Sequence, residues 1–126
     1  MKVLLSIKPE FAEKIVNGIK KFEYRKSIFK ETGVVAIVVY VTKPCGKVIG
    51  EFSIEDIIME SPSELWNKTE KYAGIKRQYF NEYFKNREYG FAIKIKDFVP
   101  YKHPLSLEEY NPNIKVAPQS FCYIRE

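Results

Sequence analysis

The chain has 126 residues, a formal net charge of +5, 45% hydrophobic and 15% aromatic residues. That apolar content excludes an intrinsically disordered chain and predicts one domain, residues 1–126, with an aromatic-rich core that needs no disulfide or metal staple. The positive balance favours polyanionic partners, nucleic acid before membrane, against the plainer reading of a lysine-rich solvated surface.

Lys2 to Ile7 reads as a first strand. Pro9 suits the first turn of a helix, where its missing N–H costs nothing, and Glu10 suits the positive helix start. Phe11, Ile15 and Ile19 recur at helical spacing, widened by Ala12 and Val16, which predicts a core-facing stripe. Gly18 supplies a left-handed stop. The chain leaves as Lys20-Lys21-Phe22-Glu23-Tyr24-Arg25, a strand with Phe22 and Tyr24 on one face and Lys21, Glu23 and Arg25 on the other. A polar cleft is expected beside the helix end.

Ser27 to Gly33 is a polar connection. Val34 to Thr42, apolar and β-branched, predicts a central strand buried on both sides. Thr42 to Gly46 is a turn with proline at a turn position. Lys47 to about Ile57 completes a hairpin, and Gly50 within it predicts a bulge or a barrel bend. Ser61, Pro62 and Glu64 form a helix start, and the short helix carries Leu65 and Trp66.

Lys76 to Lys85 reads as a further helix with two aromatic rows, Tyr79/Tyr83 and Phe80/Phe84. Such rows more often bury against a sheet than stack bases, and the tyrosines suit a wet edge better. Tyr89 to Lys96 alternates as a strand. Pro100, Pro104, Pro112 and Pro118 then read as punctuation around a turn of helix at Ser106 to Tyr110. Ser120 to Arg125 returns as a last strand. The order of elements predicts an α+β fold: a small β-barrel, mixed but mainly antiparallel, with short helices packed around it.

Cys45, Cys122 and His103 lack metal-ligand spacing, so no metal or cofactor is expected, and both thiols read as buried and reduced. There is no signal-peptide core and no apolar run long enough to span a bilayer, which predicts a soluble cytoplasmic protein. A monomer or weak dimer is expected.

The pattern Gly18-x-Lys20-x-x-Glu23-x-Arg25, preceded by Leu5-Ser6-Ile7-Lys8-Pro9 and a short helix, resembles the signature of ASCH domains, members of the PUA-like superfamily. Tyr89 to Ile93 and Ala117 to Tyr123 resemble the closing segments of ASCH proteins, so the resemblance spans most of the chain. It implies a PUA-like barrel whose motif positions line a cleft at the barrel mouth.

Within that cleft, Lys20 and Arg25 would meet phosphate, and Glu23 would accept from a base or orient Arg25. Lys8, Gln119 and Ser120 are further candidates, against a reading as turn and cap chemistry. Without the resemblance, Lys20, Glu23 and Arg25 read as a surface ion-pair ladder of little energetic weight. Trp66, Tyr79 and Tyr83 could stack a base if exposed. The expected function is binding of nucleic acid, RNA above all, or of a nucleotide, in RNA metabolism or transcriptional regulation. The alternative is an RNA- or nucleoside-processing hydrolase using Lys20 and Glu23. Some ASCH proteins deacetylate N4-acetylcytidine with the motif lysine, a threonine three residues on and a distant glutamate. Lys20 matches that lysine, but Glu23 stands at the threonine position, so that mechanism does not transfer. Others resemble ribonucleases, for which Lys20, Glu23 and Arg25 would suffice.

Overall fold

The computed structural model describes residues 1–125. The apolar run forms β3 (Ala36–Val41), with all six residues buried. It lies inside a six-stranded sheet with β1 (Lys2–Ile7), β2 (Phe22–Arg25), β4 (Lys47–Glu60), β5 (Gly90–Leu105) and β6 (Phe121–Ile124), in the order β2-β5-β4-β3-β1-β6. The β1–β3 pair is parallel and the other pairs are antiparallel. The sheet curls into a half-barrel, and the helices α1 (Pro9–Val16), α2 (Pro62–Thr69), α3 (Arg77–Tyr83) and α4 (Leu107–Tyr110) pack around it, with a 3-10 turn at Glu70–Tyr72. This is the expected α+β architecture.

The end of α1 sets the geometry of the site. Gly18, at φ +76°, donates its N–H to the Ile15 carbonyl at 3.1 Å, and Ile19 donates to the Lys14 carbonyl at 3.0 Å. This is a Schellman closure, with glycine in the left-handed position that a side chain would strain. Ala12 and Ile15 are buried, but Val16 and Ile19 are 48% and 57% exposed. The apolar stripe is therefore shorter than its spacing predicts: the helix stops at Val16, and Ile19 lies beyond the left-handed residue, off the helical face.

The bend predicted at Gly50 is present. Val39 pairs with Gly50 while Tyr40 pairs with Val48, so Ile49 is an extra residue in β4. A Cβ on Gly50 would lie 2.5 Å from the Val99 carbonyl oxygen, so the close passage of β5 requires glycine here. The strand β5 runs through Pro100 and Pro104, which the sequence presents as punctuation. Its pairing with β2 covers only Phe91 to Lys94; beyond that β5 is an edge, where a missing N–H is tolerated.

Apolar residues fill both sides of the sheet. Val3, Leu5, Ile7, Ile37, Val39, Phe52 and Ile93 pack with Ala12 and Ile15 of α1. Phe22, Tyr24 and Ala92 pack under α2 and α3 with Leu65, Trp66, Phe80 and Phe84. Trp66 is therefore core, 5% exposed, and is not a stacking surface. Cys45 is exposed rather than buried because the turn carrying it faces solvent; Cys122 is half-buried, and both are free thiols. No helix among the described residues is long and apolar enough to cross a membrane.

Candidate functional site: a cleft beside the first helix

The alternation of β2 divides its side chains between core and cleft. Phe22 packs beneath α2 and α3, while Glu23 and Arg25 line a cleft of about 240 Å³ between α1, α3 and the start of the sheet. Lys8, Phe11, Lys20, Tyr79, Tyr83 and Gln119 complete much of its wall.

Lys20 lies two residues beyond the glycine stop of α1, and the turn drives it inward. It is 2% exposed. Its Nζ donates to the Ala73 carbonyl at 2.8 Å and stands 4.6 Å from the Tyr24 ring centroid and 5.4 Å from that of Phe11. Gly74 makes room for it: a Cβ there would lie 2.5 Å from Lys20 Cβ. Burial pulls the Lys20 pKa down to about 8, against the opposing attraction of Glu23. An ammonium held among aromatic faces, with one carbonyl acceptor, has unused capacity for an anion.

Glu23 is 5% exposed, and its Oε2 lies 3.4 Å from Arg25 Nη1. Arg25 Nη2 donates to the carbonyl oxygens of Ser6 at 3.2 Å and Ser120 at 3.0 Å. Its buried Nε has no hydrogen-bond partner among the described residues. The guanidinium is thus largely engaged by main chain, unlike the free phosphate fork of the sequence reading.

Lys8 stands at the mouth, its Nζ donating to Tyr79 Oη at 3.1 Å, and this hydrogen bond raises the Lys8 pKa. Tyr79 and Tyr83, one turn apart on α3, hold nearly parallel rings with centroids 6.5 Å apart and an interplanar angle of 13°. Lys26 Nζ lies 4.8 Å from the Tyr83 ring. Burial pushes the Tyr83 phenol pKa up.

Lys8, Lys20, Glu23, Arg25 and Gln119 thus converge on one cleft. Ser120 is not part of its wall; its carbonyl accepts from Arg25 and from the Ser6 N–H at 3.1 Å. The sequence reading missed Ser6, Thr42 and Ile75, which also line the cleft. Thr42 arrives through the parallel β1–β3 pair, where its N–H donates to the Ile7 carbonyl at 3.0 Å. A parallel pairing of distant strands leaves no local mark in sequence. Among the described residues no group of three or more His, Cys, Asp or Glu could hold a metal ion.

Comparison with known proteins agrees with this fold. The ASCH domain model matches residues 5–99, and the chain belongs to the ASCH domain family, within the PUA-like superfamily. It is 31% identical over 126 residues to an ASCH domain-containing ribonuclease of Zymomonas mobilis, covering 98% of this chain and 84% of that protein. It is 28% identical over 127 residues to the large ribosomal subunit protein uL22 of Ureaplasma parvum, but spans only 39% of that protein's length. The crystal structure of ASCH from Zymomonas mobilis superposes with a TM-score of 0.88 at 30% identity, covering 99% of this chain and 88% of that one. The N-terminal domain of Staphylothermus marinus McrB shares the fold, with a TM-score of 0.56 at 12% identity.

Proposed function

We propose that the cleft binds single-stranded RNA or a nucleotide, and that the protein acts in RNA metabolism. The observation that carries this reading is the convergence of Lys8, Lys20 and Arg25, against the single carboxylate of Glu23, on a cleft walled by Tyr79 and Tyr83. Cations beside aromatic faces match the alternation of phosphate and base in an unpaired strand. A base stacks on the tyrosines, a phosphate meets the ammonium groups of Lys8 and Lys20, and Glu23 accepts from a base amino group. Arg25, tied to main-chain carbonyls, holds Glu23 in place. The test is fluorescence anisotropy with a labelled oligouridylate and Lys20→Met, which keeps the buried volume. Binding should weaken at least about tenfold, as expected for a lost charge-assisted contact; wild-type affinity in the variant would reject the reading.

A second reading, RNA cleavage, rests on Glu23 and Lys20 lining one cleft, where the Glu23 charge acts on a buried Lys20 whose pKa is about 8. The ribonuclease relative supports it. The 2′-hydroxyl attacks the adjacent phosphorus while Glu23 takes its proton. The P–O5′ bond breaks, Lys20 protonates the departing 5′-oxygen, and a 2′,3′-cyclic phosphate remains. A pKa near 8 keeps Lys20 charged at neutral pH yet able to release its proton. Chromatographic analysis of products, with Glu23→Gln alongside, separates the readings. Cyclic phosphate made by wild type and lost in the variant supports cleavage, and its absence in both leaves a recognition site.

A further inference from the structure

On the far side of Lys20 lies a second, larger groove of about 840 Å³, between the end of α1, the end of α2 with its 3-10 turn, and the outer part of β5. Six lysines line it against two carboxylates, Glu55 and Asp97. Glu55 is already paired with Lys94 at 2.5 Å, and Lys68 pairs with Glu60. Lys21, Lys71 and Lys96 form no ion pair among the described residues, and all three are exposed. Tyr72, 39% exposed, gathers two of them: Nζ of Lys21 and of Lys71 lie 4.4 and 5.5 Å from its ring centroid.

Surface lysines normally spread apart or pair with carboxylates, because like charges in a concave wall repel and focus the field. Here unpaired ammonium groups crowd one groove around an exposed ring. Lys20 lines both this groove and the cleft, so the two lie back to back across one side chain.

We propose that the groove carries the single-stranded RNA flanking the nucleotide held in the cleft, with Lys21, Lys71 and Lys96 against its phosphates. The inference rests on the cleft reading and deepens it: the ligand is an oligonucleotide rather than a mononucleotide. A polyanion with regularly spaced charges and flat apolar bases satisfies both the ammonium groups and the Tyr72 ring. An acidic peptide satisfies only the charges.

The experiment compares wild type, a groove variant (Lys21→Gln, Lys71→Gln, Lys96→Gln) and a cleft variant (Tyr79→Ala, Tyr83→Ala). Each is titrated with uridine 5′-monophosphate and with oligouridylates of about 3 and about 12 nucleotides, near the usual range of single-strand site sizes. The exposed positions leave the fold intact, which circular dichroism checks. The groove variant should bind the monophosphate as wild type does and lose roughly tenfold or more in affinity for the long oligomer. Its slope of log affinity against log salt should fall by about 2, close to 0.7 per lost phosphate contact. Unchanged long-oligomer affinity and slope in the groove variant, with loss in the cleft variant, overturns the groove and leaves the cleft standing. Loss in the groove variant alone overturns the cleft reading instead. Displacement of the long oligomer by polyglutamate at equal charge overturns the choice of RNA as occupant. No oligomer binding by wild type overturns both.

Discussion

Arg25 Nη2 donates to the carbonyl oxygen of Ser120 at 3.0 Å, and this bond joins the two ends of the sheet. Arg25 closes β2, at one edge, and Ser120 precedes β6, at the other. With the second bond to Ser6 in β1, a single guanidinium ties β2 to the main chain at β1 and before β6, and it lines the cleft. Arg25→Met should lower stability by about 1.5–3 kcal/mol, since it leaves two carbonyls without their charged donor. Arg25→Lys should recover little, because one ammonium lacks the planar fork. Urea unfolding of both variants checks this; a midpoint shared by Arg25→Met and wild type would show that the seam carries no load.

Lys20 stands in the fold at a stability cost. Its folded pKa of about 8 lies below the ordinary lysine value of 10.5, a difference on the order of 3 kcal/mol. Below about pH 8 both folded and unfolded chains hold the proton, and the full penalty is present. Between about pH 8 and 10.5 the unfolded chain binds more protons than the folded one, so stability from this residue rises with pH. Lys20→Met should therefore be more stable than wild type at pH 7 by on the order of 1–3 kcal/mol, part of the gain being offset by the unpaired Ala73 carbonyl. The gap should shrink as pH approaches 10.5. A variant less stable at pH 7, or a gap independent of pH, contradicts the buried-ammonium assignment.

The same proton governs ligand affinity. An anion held by Lys20 should bind steadily up to about pH 8 and progressively less above it. Lys8, whose pKa is raised by its bond to Tyr79, stays charged through this range. Calorimetric titration with uridine 5′-monophosphate across about pH 7–9, above the second ionisation of its phosphate at about pH 6, should show the decline in wild type, and Lys20→Met should show weaker but nearly flat binding. A parallel decline in both would assign it to another group.

The aromatic residues divide by role. Tyr79→Ala and Tyr83→Ala should each weaken oligonucleotide binding by about 1–3 kcal/mol, with little loss of stability for the exposed Tyr79 and more for the half-buried Tyr83, which packs on Phe84. Trp66→Ala, in the core against Phe80 at 4.9 Å between ring centroids, should instead cost about 3–5 kcal/mol of stability. Phe at position 66 should leave binding unchanged. Parallel anisotropy and thermal unfolding separate the two effects; a binding defect in Trp66→Phe would move the stacking site.

Local rules made much of the scaffold legible. Gly18 marks the end of α1 and Gly50 marks the bend of β4, because each reflects a backbone constraint that only glycine meets without strain. The β2 alternation placed Glu23 and Arg25 together on one face. The use made of Arg25 was hidden, since its main-chain acceptors come from positions 19 and 95 residues away. Pro100 and Pro104 read as breaks because their edge position is a tertiary fact. Thr42 reaches the cleft through a strand pairing and Ile75 from the connection before α3, and periodicity encodes neither. Cys45 read as buried because residue type says little about a turn's exposure.

The most direct measurement is photo-crosslinking of an oligonucleotide containing 4-thiouridine, followed by mass spectrometry of the modified peptides. A base stacked in the cleft should mark Tyr79 or Tyr83, and the mark should fall sharply in Lys20→Met. Crosslinks confined to peptides away from α3 and the first strand–helix unit, with equal yield in the variant, would contradict the account.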